Sequence, residues 1–281
     1  RWKPSTFKAS ADDLATLLRR GRVFLNKLTL DNFERLAVKF IDDLHISSVD
    51  HMLGFLEMLI EKAQSEMKYS FMYAQLCVRL QVALGNMWAE DLGIPEAQMP
   101  QMEVCFSFLL LEACQKQFLV VRPLPANFEE LNEDDQAEVE LKRRDMVVGH
   151  IAFVGELYKE GLIHDKTIHV CMAQLLDGSL EEPNEAHLDY VHKLLSVVGS
   201  KLEGTTNRGS RAFLEAYFQV FQRLLDGGML SSRTRFSLLD LVDLRNGGWI
   251  PRREEDQVQT VEAFRARAVK LADASSSSRR G

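Results

Sequence analysis

Residues 33–44 read Phe-Glu-Arg-Leu-Ala-Val-Lys-Phe-Ile-Asp-Asp-Leu, with apolar side chains at Phe33, Leu36, Ala37, Phe40, Ile41 and Leu44. Intervals of three and four place them on one face of a 3.6-residue helix. The stripe returns along the chain. Met52, Phe55, Leu56, Leu59, Ile60 and Ala63 carry it, then Tyr73, Leu76, Cys77 and Leu80, then Phe106, Leu109, Leu110 and Ala113. Ile151, Val154, Leu157 and Tyr158 follow, then Val191, Leu194, Leu195 and Val198. Phe213, Tyr217, Phe221 and Leu224, and finally Leu238, Leu241 and Val242, complete the series. Alternating strand patterns with hairpin turns are not evident. The reading is all-α: ten main helices in antiparallel pairs, stacked as an α-α superhelix of about five pairs.

Punctuation supports the helix count. Asp12, Asp31, Ser48, Asp165 and Ser231 have side-chain oxygens suited to cap the free N–H groups of a helix start. Gly161, Gly178, Gly199 and Gly227-Gly228 read as helix stops. One segment breaks the rhythm. Residues 122–138 hold Pro123, Pro125 and the acidic side chains Glu129, Glu130, Glu133, Asp134 and Asp135, and read as a solvated loop between two helices. The expected organisation is an extended arm over 1–10, the helical domain over 11–253, and a C-terminal helix with a Ser-rich flexible tail over 254–281. The chain starts at Arg1 and reads as a piece of a longer or processed protein.

Composition narrows the function classes. The 281 residues are 46% apolar and 27% charged, which fits a globular chain and not a disordered one. Uninterrupted apolar runs such as Phe118–Val121 stop at four residues, far short of the roughly 20 that a membrane span needs. The formal charge of −7 argues against a protein whose main task is wrapping duplex nucleic acid. Cys77, Cys105, Cys114 and Cys171 form no C-x-x-C pair and read as buried thiols of a reducing compartment, which fits a cytoplasmic chain. A monomer is expected.

Motifs for chemistry are missing. Phosphate-binding, nucleophile-elbow and H-E-x-x-H patterns are absent, and Gly199-Ser200-Lys201 has its glycines and lysine wrongly placed for a phosphate loop. His164 with His169, and His187 with His192, are five apart and fall on different helix faces, which does not suit a shared metal. Asp240 and Asp243 are better suited to pairing with Arg233, Arg235 and Arg245 than to acid-base work. No catalytic residue, metal ligand or cofactor is expected. Met52, Met58, Phe106 and Phe108 read as core. Trp2, in Arg1-Trp2-Lys3-Pro4-Ser5, reads equally as an aromatic folded back on the first pair or as a binding anchor.

Five ordered motifs carry a family resemblance. Leu25-Asn26-Lys27-Leu28-Thr29 with Phe33, after the arm Trp2-Lys3-Pro4-Ser5, resembles the opening of the middle domain of translation initiation factor 4G. Glu61-Lys62-Ala63 through Tyr73-Ala74 and Cys77 is similar to the second pair of that domain. Phe106, Leu109-Leu110-Leu111 and Cys114-Gln115-Lys116 resemble the third, and Gly149 to Tyr158 the fourth. Ser231-Ser232-Arg233, Arg235-Phe236, Asp240, Asp243-Leu244-Arg245 and Trp249-Ile250-Pro251-Arg252-Arg253 resemble the closing motif.

The resemblance implies a HEAT-repeat superhelix, and a translation initiation scaffold that binds a DEAD-box RNA helicase of the initiation factor 4A type. Such a scaffold touches both RecA-like lobes of the helicase and stimulates its ATPase and unwinding. By the same resemblance, Trp2, Leu25, Leu28 and Phe33 are the helicase-contacting positions. Leu25 and Leu28, three apart at a helix end, read equally as core. Arg233, Arg235, Arg252 and Arg253 are candidates for a second partner surface or for weak mRNA binding. A cap-binding protein and ribosomal factors would join through other parts of a longer chain. The alternative is a sibling HEAT-repeat module in another mRNA complex (cap-binding, decay or poly(A)-binding-protein partner) that activates no helicase.

Overall fold

The stripe beginning at Phe33 is a helix in the computed structural model, which describes residues 11–42, 49–91, 99–118, 124–125 and 127–250. Ten α-helices lie among the described residues: α1 (Ala11–Lys27), α2 (Phe33–Asp42), α3 (Val49–Ser65), α4 (Ser70–Asp91), α5 (Met99–Gln117), α6 (Glu133–Lys159), α7 (Asp165–Leu176), α8 (Glu185–Glu203), α9 (Arg208–Gly227) and α10 (Ser232–Asn246). Short 3-10 turns sit at Met67–Tyr69 and Phe128–Glu130, and no strand occurs among the described residues. The fold is all-α, with about five antiparallel pairs in chain order. The expected arm at 1–10 and the segment 254–281 lie outside the described residues, as does Ser48.

The chain divides into two compact units, residues 1–58 with 254–281, and residues 59–253. In the first, α1 and α2 pack through Phe24 and Phe40, whose rings stack at 3.8 Å, and Phe40 reaches Phe55 of α3 at 5.5 Å. Gly21 lets α1 approach α3, since a Cβ there would lie 2.4 Å from the Met58 methyl. Leu17, Leu25, Leu28, Phe33, Ala37, Met52 and Leu56 complete the buried set. The α1–α2 turn is closed by Asn32. The Asn32 Oδ1 accepts from the Thr29 N–H at 2.8 Å while its Nδ2 donates to the Lys27 carbonyl at 2.8 Å. An amide offers both a donor and an acceptor to such a turn, and a carboxylate offers only acceptors.

In the second unit the even-numbered helices form a row. α4 packs on α6, α6 on α8 and α8 on α10, with α7 and α9 laid against α8 and against each other. The stripe Val191, Leu194, Leu195 and Val198 at the centre of α8 is fully buried. Caps set the starts. Asn132, Asn184, Asn207 and Ser231 each accept from a backbone N–H two or three residues on, at 2.8–3.3 Å. Asp165 opens α7 with His164 at the cap position. Glu133, Asp134 and Asp135, expected in a loop, form the first turn of α6 instead. Negative side chains there complement the partial positive charge of a helix start.

Two further expectations are corrected. Gly161, Gly178 and Gly228 do take left-handed conformations at helix ends, but Gly199 lies inside α8, where the Trp249 indole leaves no room for a Cβ. Phe108 and Phe213, read as core, are exposed. The Phe213 ring leans on His169 at 4.9 Å, at the edge of its stripe.

Candidate functional site

The first candidate site is the corner between α1 and α2. Leu25, Leu28 and Phe33 are 2%, 7% and 5% exposed, so their side chains belong to the core of the first unit. The sequence left interface and core open for the two leucines, and the structure places both inside. What they present outward is the geometry of the corner, which Asn32 and the Phe24–Phe40 stack hold rigid. Trp2 lies outside the described residues.

The second candidate surface is at α8 and α10. Arg233 is 58% exposed and donates to Asp189 at 2.9 Å, and Arg144 donates to the same carboxylate oxygen at 2.9 Å. Arg144 and Arg233 share that one carboxylate, and the anionic Glu185 beside Arg233 balances the second charge. Beside them Glu185 accepts from the Ser231 N–H (2.8 Å), the Ser231 hydroxyl (2.6 Å) and the Thr234 hydroxyl (2.8 Å). The Ser231 hydroxyl and N–H, then Thr234, with Arg233 nearby, hold the Glu185 carboxyl down to about 2. Arg235 donates to the Leu225 carbonyl at 2.5 Å and so caps the end of α9. Arg252 and Arg253 lie outside the described residues.

The arginines meet partners other than the expected Asp240 and Asp243: Arg233 pairs with Asp189, Arg235 donates to the Leu225 carbonyl, and Arg245 pairs with Glu203 and Glu215. Arg245 donates to Glu203 of α8 and Glu215 of α9, both at 2.9 Å, and its guanidinium lies over the Phe218 ring at 4.4 Å.

The sequence reading missed Phe236 as a surface residue. On α10 the buried side chains Thr234, Leu238 and Leu241 share one face, while Phe236 is 65% exposed and Leu239 is also exposed. Their helical spacing was the available signal. Burying such a ring on a partner would be worth about 2 kcal/mol, and Phe236 lies three residues after Arg233 on the same helix.

One cluster resembles catalytic machinery in composition only. His169 contacts the Ser210 hydroxyl at 2.6 Å and the Tyr217 hydroxyl at 2.9 Å. Burial pushes Asp165 up, but hydrogen bonds from Tyr158, Ser210 and Thr205 outweigh it and hold the carboxyl below its ordinary value. Ser210 thus stands between histidine and carboxylate and is buried. A nucleophilic triad needs the histidine in the middle and the serine open to substrate. The cluster joins α6, α7 and α9. Among the described residues no group of three His, Cys, Asp or Glu is placed to hold a metal, and no helix is long and apolar enough to cross a membrane.

Antiparallel helix pairs in chain order, with buried stripes inside and exposed rings and cations outside, define a helical-repeat protein. The MIF4G domain model matches residues 18–247, and the chain belongs to that family. Among proteins of known identity, it is 30% identical over 278 residues to eukaryotic translation initiation factor 4 gamma of Dictyostelium discoideum, an alignment covering 89% of this chain and 20% of that protein. It is 30% identical over 288 residues to eukaryotic translation initiation factor 4 gamma 3 of Homo sapiens, covering 95% of this chain and 17% of that protein. The chain therefore spans about a fifth or less of these relatives. The crystal structure of the MIF4G domain of Trypanosoma cruzi translation initiation factor EIF4G5 aligns with a TM-score of 0.49 at 19% identity, covering 83% of this chain and 97% of that one.

Proposed function

We propose that this chain is a cytoplasmic translation initiation scaffold module that docks a DEAD-box RNA helicase of the initiation factor 4A type. It bridges the two RecA-like lobes and stimulates ATP hydrolysis and unwinding. The observation that carries the reading is the match of the MIF4G model across residues 18–247. The initiation-factor relatives support it by aligning along nearly the whole chain. One lobe is met at the α1–α2 corner, with Trp2 of the arm as an anchor. The other is met at α10, through Phe236 and the Arg144–Arg233 pair. Weak mRNA contact falls to Arg233, Arg252 and Arg253, with Arg235 retained as a helix cap. Cap-binding and ribosomal factors engage other parts of a longer protein.

Burial changes how the corner must be tested. Leu25→Ala or Phe33→Ala removes core packing, which costs about 2–5 kcal/mol, so lost binding in those variants would not identify a contact. Trp2→Ala and Phe236→Ala are the informative changes. Calorimetric titration of the 281-residue chain with the helicase is expected to show each variant bound about tenfold more weakly (~1.4 kcal/mol) with its melting temperature unchanged. Binding unchanged in both variants would overturn the site assignment. No binding by the unaltered chain would overturn the function.

A further inference from the structure

We propose that the adjoining outer faces of α7 and α9 form a docking surface for an acidic amphipathic helix of a partner protein. The surface uses helices other than those assigned to the helicase and does not depend on that assignment. It is built on the polar junction around His169. Asp165 of α7 accepts from Thr205 just before α9 at 3.3 Å, and one turn further along α7 His169 meets Ser210, Phe213 and Tyr217. The two helices therefore run in the same direction, and the C-terminal half of α7 lies beside the middle of α9. Helical spacing puts Lys166, Val170 and Ala173 in one row along α7, and Phe213, Ala216, Val220 and Arg223 in another along α9. Val170, Ala173, Phe213 and Ala216 are exposed, and Val220 is half-buried. From Phe213 to Val220 the apolar row runs for about 10 Å, two turns of helix.

Charge specifies the flanks of the partner. Lys166, Arg208 and Arg223 are exposed, and none of the three makes an ion pair among the described residues. The acids of α9 are engaged elsewhere, Glu215 with Arg245 and Asp226 with the Gln222 amide at 3.0 Å. Asp177, at the end of α7, stands alone against the three cations. Lys166 lies one turn before Val170, and Arg223 lies three residues after Val220, so cations stand at both ends of the apolar rows. An apolar ridge with acidic flanks complements that arrangement. An amphipathic helix presents such a ridge through anchors at i, i+3, i+4 and i+7. Single-stranded RNA is served less well. Phe213 is the one exposed ring among the described residues of α7 and α9, so it can stack one base, and the apolar side chains beside it offer base edges and phosphates no hydrogen bond. The ring is also held in place before any partner arrives. It leans at 4.9 Å on His169, whose Nδ1 meets the Tyr217 hydroxyl at 2.9 Å and whose Nε2 meets the Ser210 hydroxyl at 2.6 Å. Little ordering is then needed on binding.

The test uses the 281-residue chain and a fluorescent synthetic peptide of about five helical turns. The peptide carries Leu along one face and Glu on the others. Fluorescence anisotropy compares it with a scrambled peptide of the same composition, with a version carrying Lys for Glu, and with a single-stranded oligouridine. The acidic amphipathic peptide is expected to bind, and both altered peptides to bind about tenfold more weakly or worse. Phe213→Ala is expected to weaken the acidic peptide about tenfold. Lys166→Glu/Arg223→Glu is expected to weaken it by a similar factor at low salt, with the difference shrinking at high salt. Phe236→Ala is expected to bind it as the unaltered chain does. Circular dichroism melts check that the variants fold, and if Phe213→Ala does not, the charge variant decides. No binding of the acidic peptide, equal binding of the scrambled one, or binding unchanged in both variants overturns the inference. Oligouridine binding that depends on Phe213, without peptide binding, would assign the face to RNA. Self-association in sedimentation that Phe213→Ala abolishes would assign it to a second copy. Helicase association is expected to be unchanged in these variants, and its loss would make the face part of the helicase site. Each of these three results also overturns the proposal, while the helicase reading is decided separately by whether the unaltered chain associates with the helicase.

Discussion

His150 shows how a buried polar side chain can fix a helix junction. Its Nε2–H donates to the Cys114 carbonyl at 3.0 Å, since a carbonyl can only accept, and Nδ1 accepts from the Gln64 amide at 2.9 Å. The other Gln64 N–H goes to Gln117 at 2.6 Å, so α3, α5 and α6 meet in a fully satisfied network. Burial pushes the ring down to about 4, against a weaker upward pull from the Cys114 carbonyl. An unfolded chain takes up a proton near the ordinary value while the folded chain refuses it. Stability is therefore full above about pH 7. It falls by on the order of 3 kcal/mol as the pH drops from about 6.5 to about 4. Denaturant titrations at several pH values should show this loss, and His150→Gln should lose stability at pH 7 and flatten the acid slope. Next to it, a Cβ on Gly149 would lie 2.1 Å from the Gln64 carbonyl oxygen, a backbone atom with nowhere to go. Gly149→Ala is expected to cost about 3 kcal/mol, read from the same titrations. Gly149 was visible in the sequence only as part of a family motif. The reason for the glycine is a contact across 85 residues, which local pattern does not reveal.

At the scale of elements, the C-terminal end of α10 is tied back by two side chains, Trp249 and Arg245. The Trp249 Nε1–H donates to Glu203 at 2.6 Å, its ring meets Phe218 edge-on at 6.1 Å, and Arg245 bridges Glu203 to Glu215. Trp249 holds φ at 64°, which a non-glycine residue adopts only when its surroundings enforce it. Gly199 makes the space, because a Cβ there would lie 2.1 Å from the indole. Gly199→Ala is expected to expel the ring and cost about 2 kcal/mol, seen as a lower melting temperature and a red-shifted Trp emission. Sequence periodicity located the helices well, since a 3.6-residue stripe is local information. It placed Gly199 at a helix end and Phe213 in the core because both errors depend on neighbours. A glycine that admits an indole looks like one that ends a helix, and a ring at the margin of a stripe looks like one at its centre. Arg233, Arg235 and Arg245 were legible as paired arginines, but their partners Asp189, the Leu225 carbonyl, Glu203 and Glu215 lie on other helices.

Each of the two compact units is a set of packed helices that carries exposed side chains. Some of the motifs that carry the family resemblance lie in the interior, as Leu25, Leu28 and Phe33 do in the first unit and Gly149 and Ile151 in the second, whereas the closing motif is exposed at Arg233, Arg235, Phe236, Asp240 and Asp243. Family membership was legible in the sequence, while the exposure of side chains such as Phe236, which stands there only as part of a motif, was not. Buried motifs preserve a shape, and the exposed side chains on that shape choose the partner. The proposed function requires that the chain activate a helicase and not merely bind one. The direct measurement is the RNA-stimulated ATPase rate of a 4A-type helicase as this chain is added. The account predicts a saturable rise in the rate that Phe236→Ala shifts to higher concentration. A rate that stays flat while the two proteins demonstrably bind would contradict it.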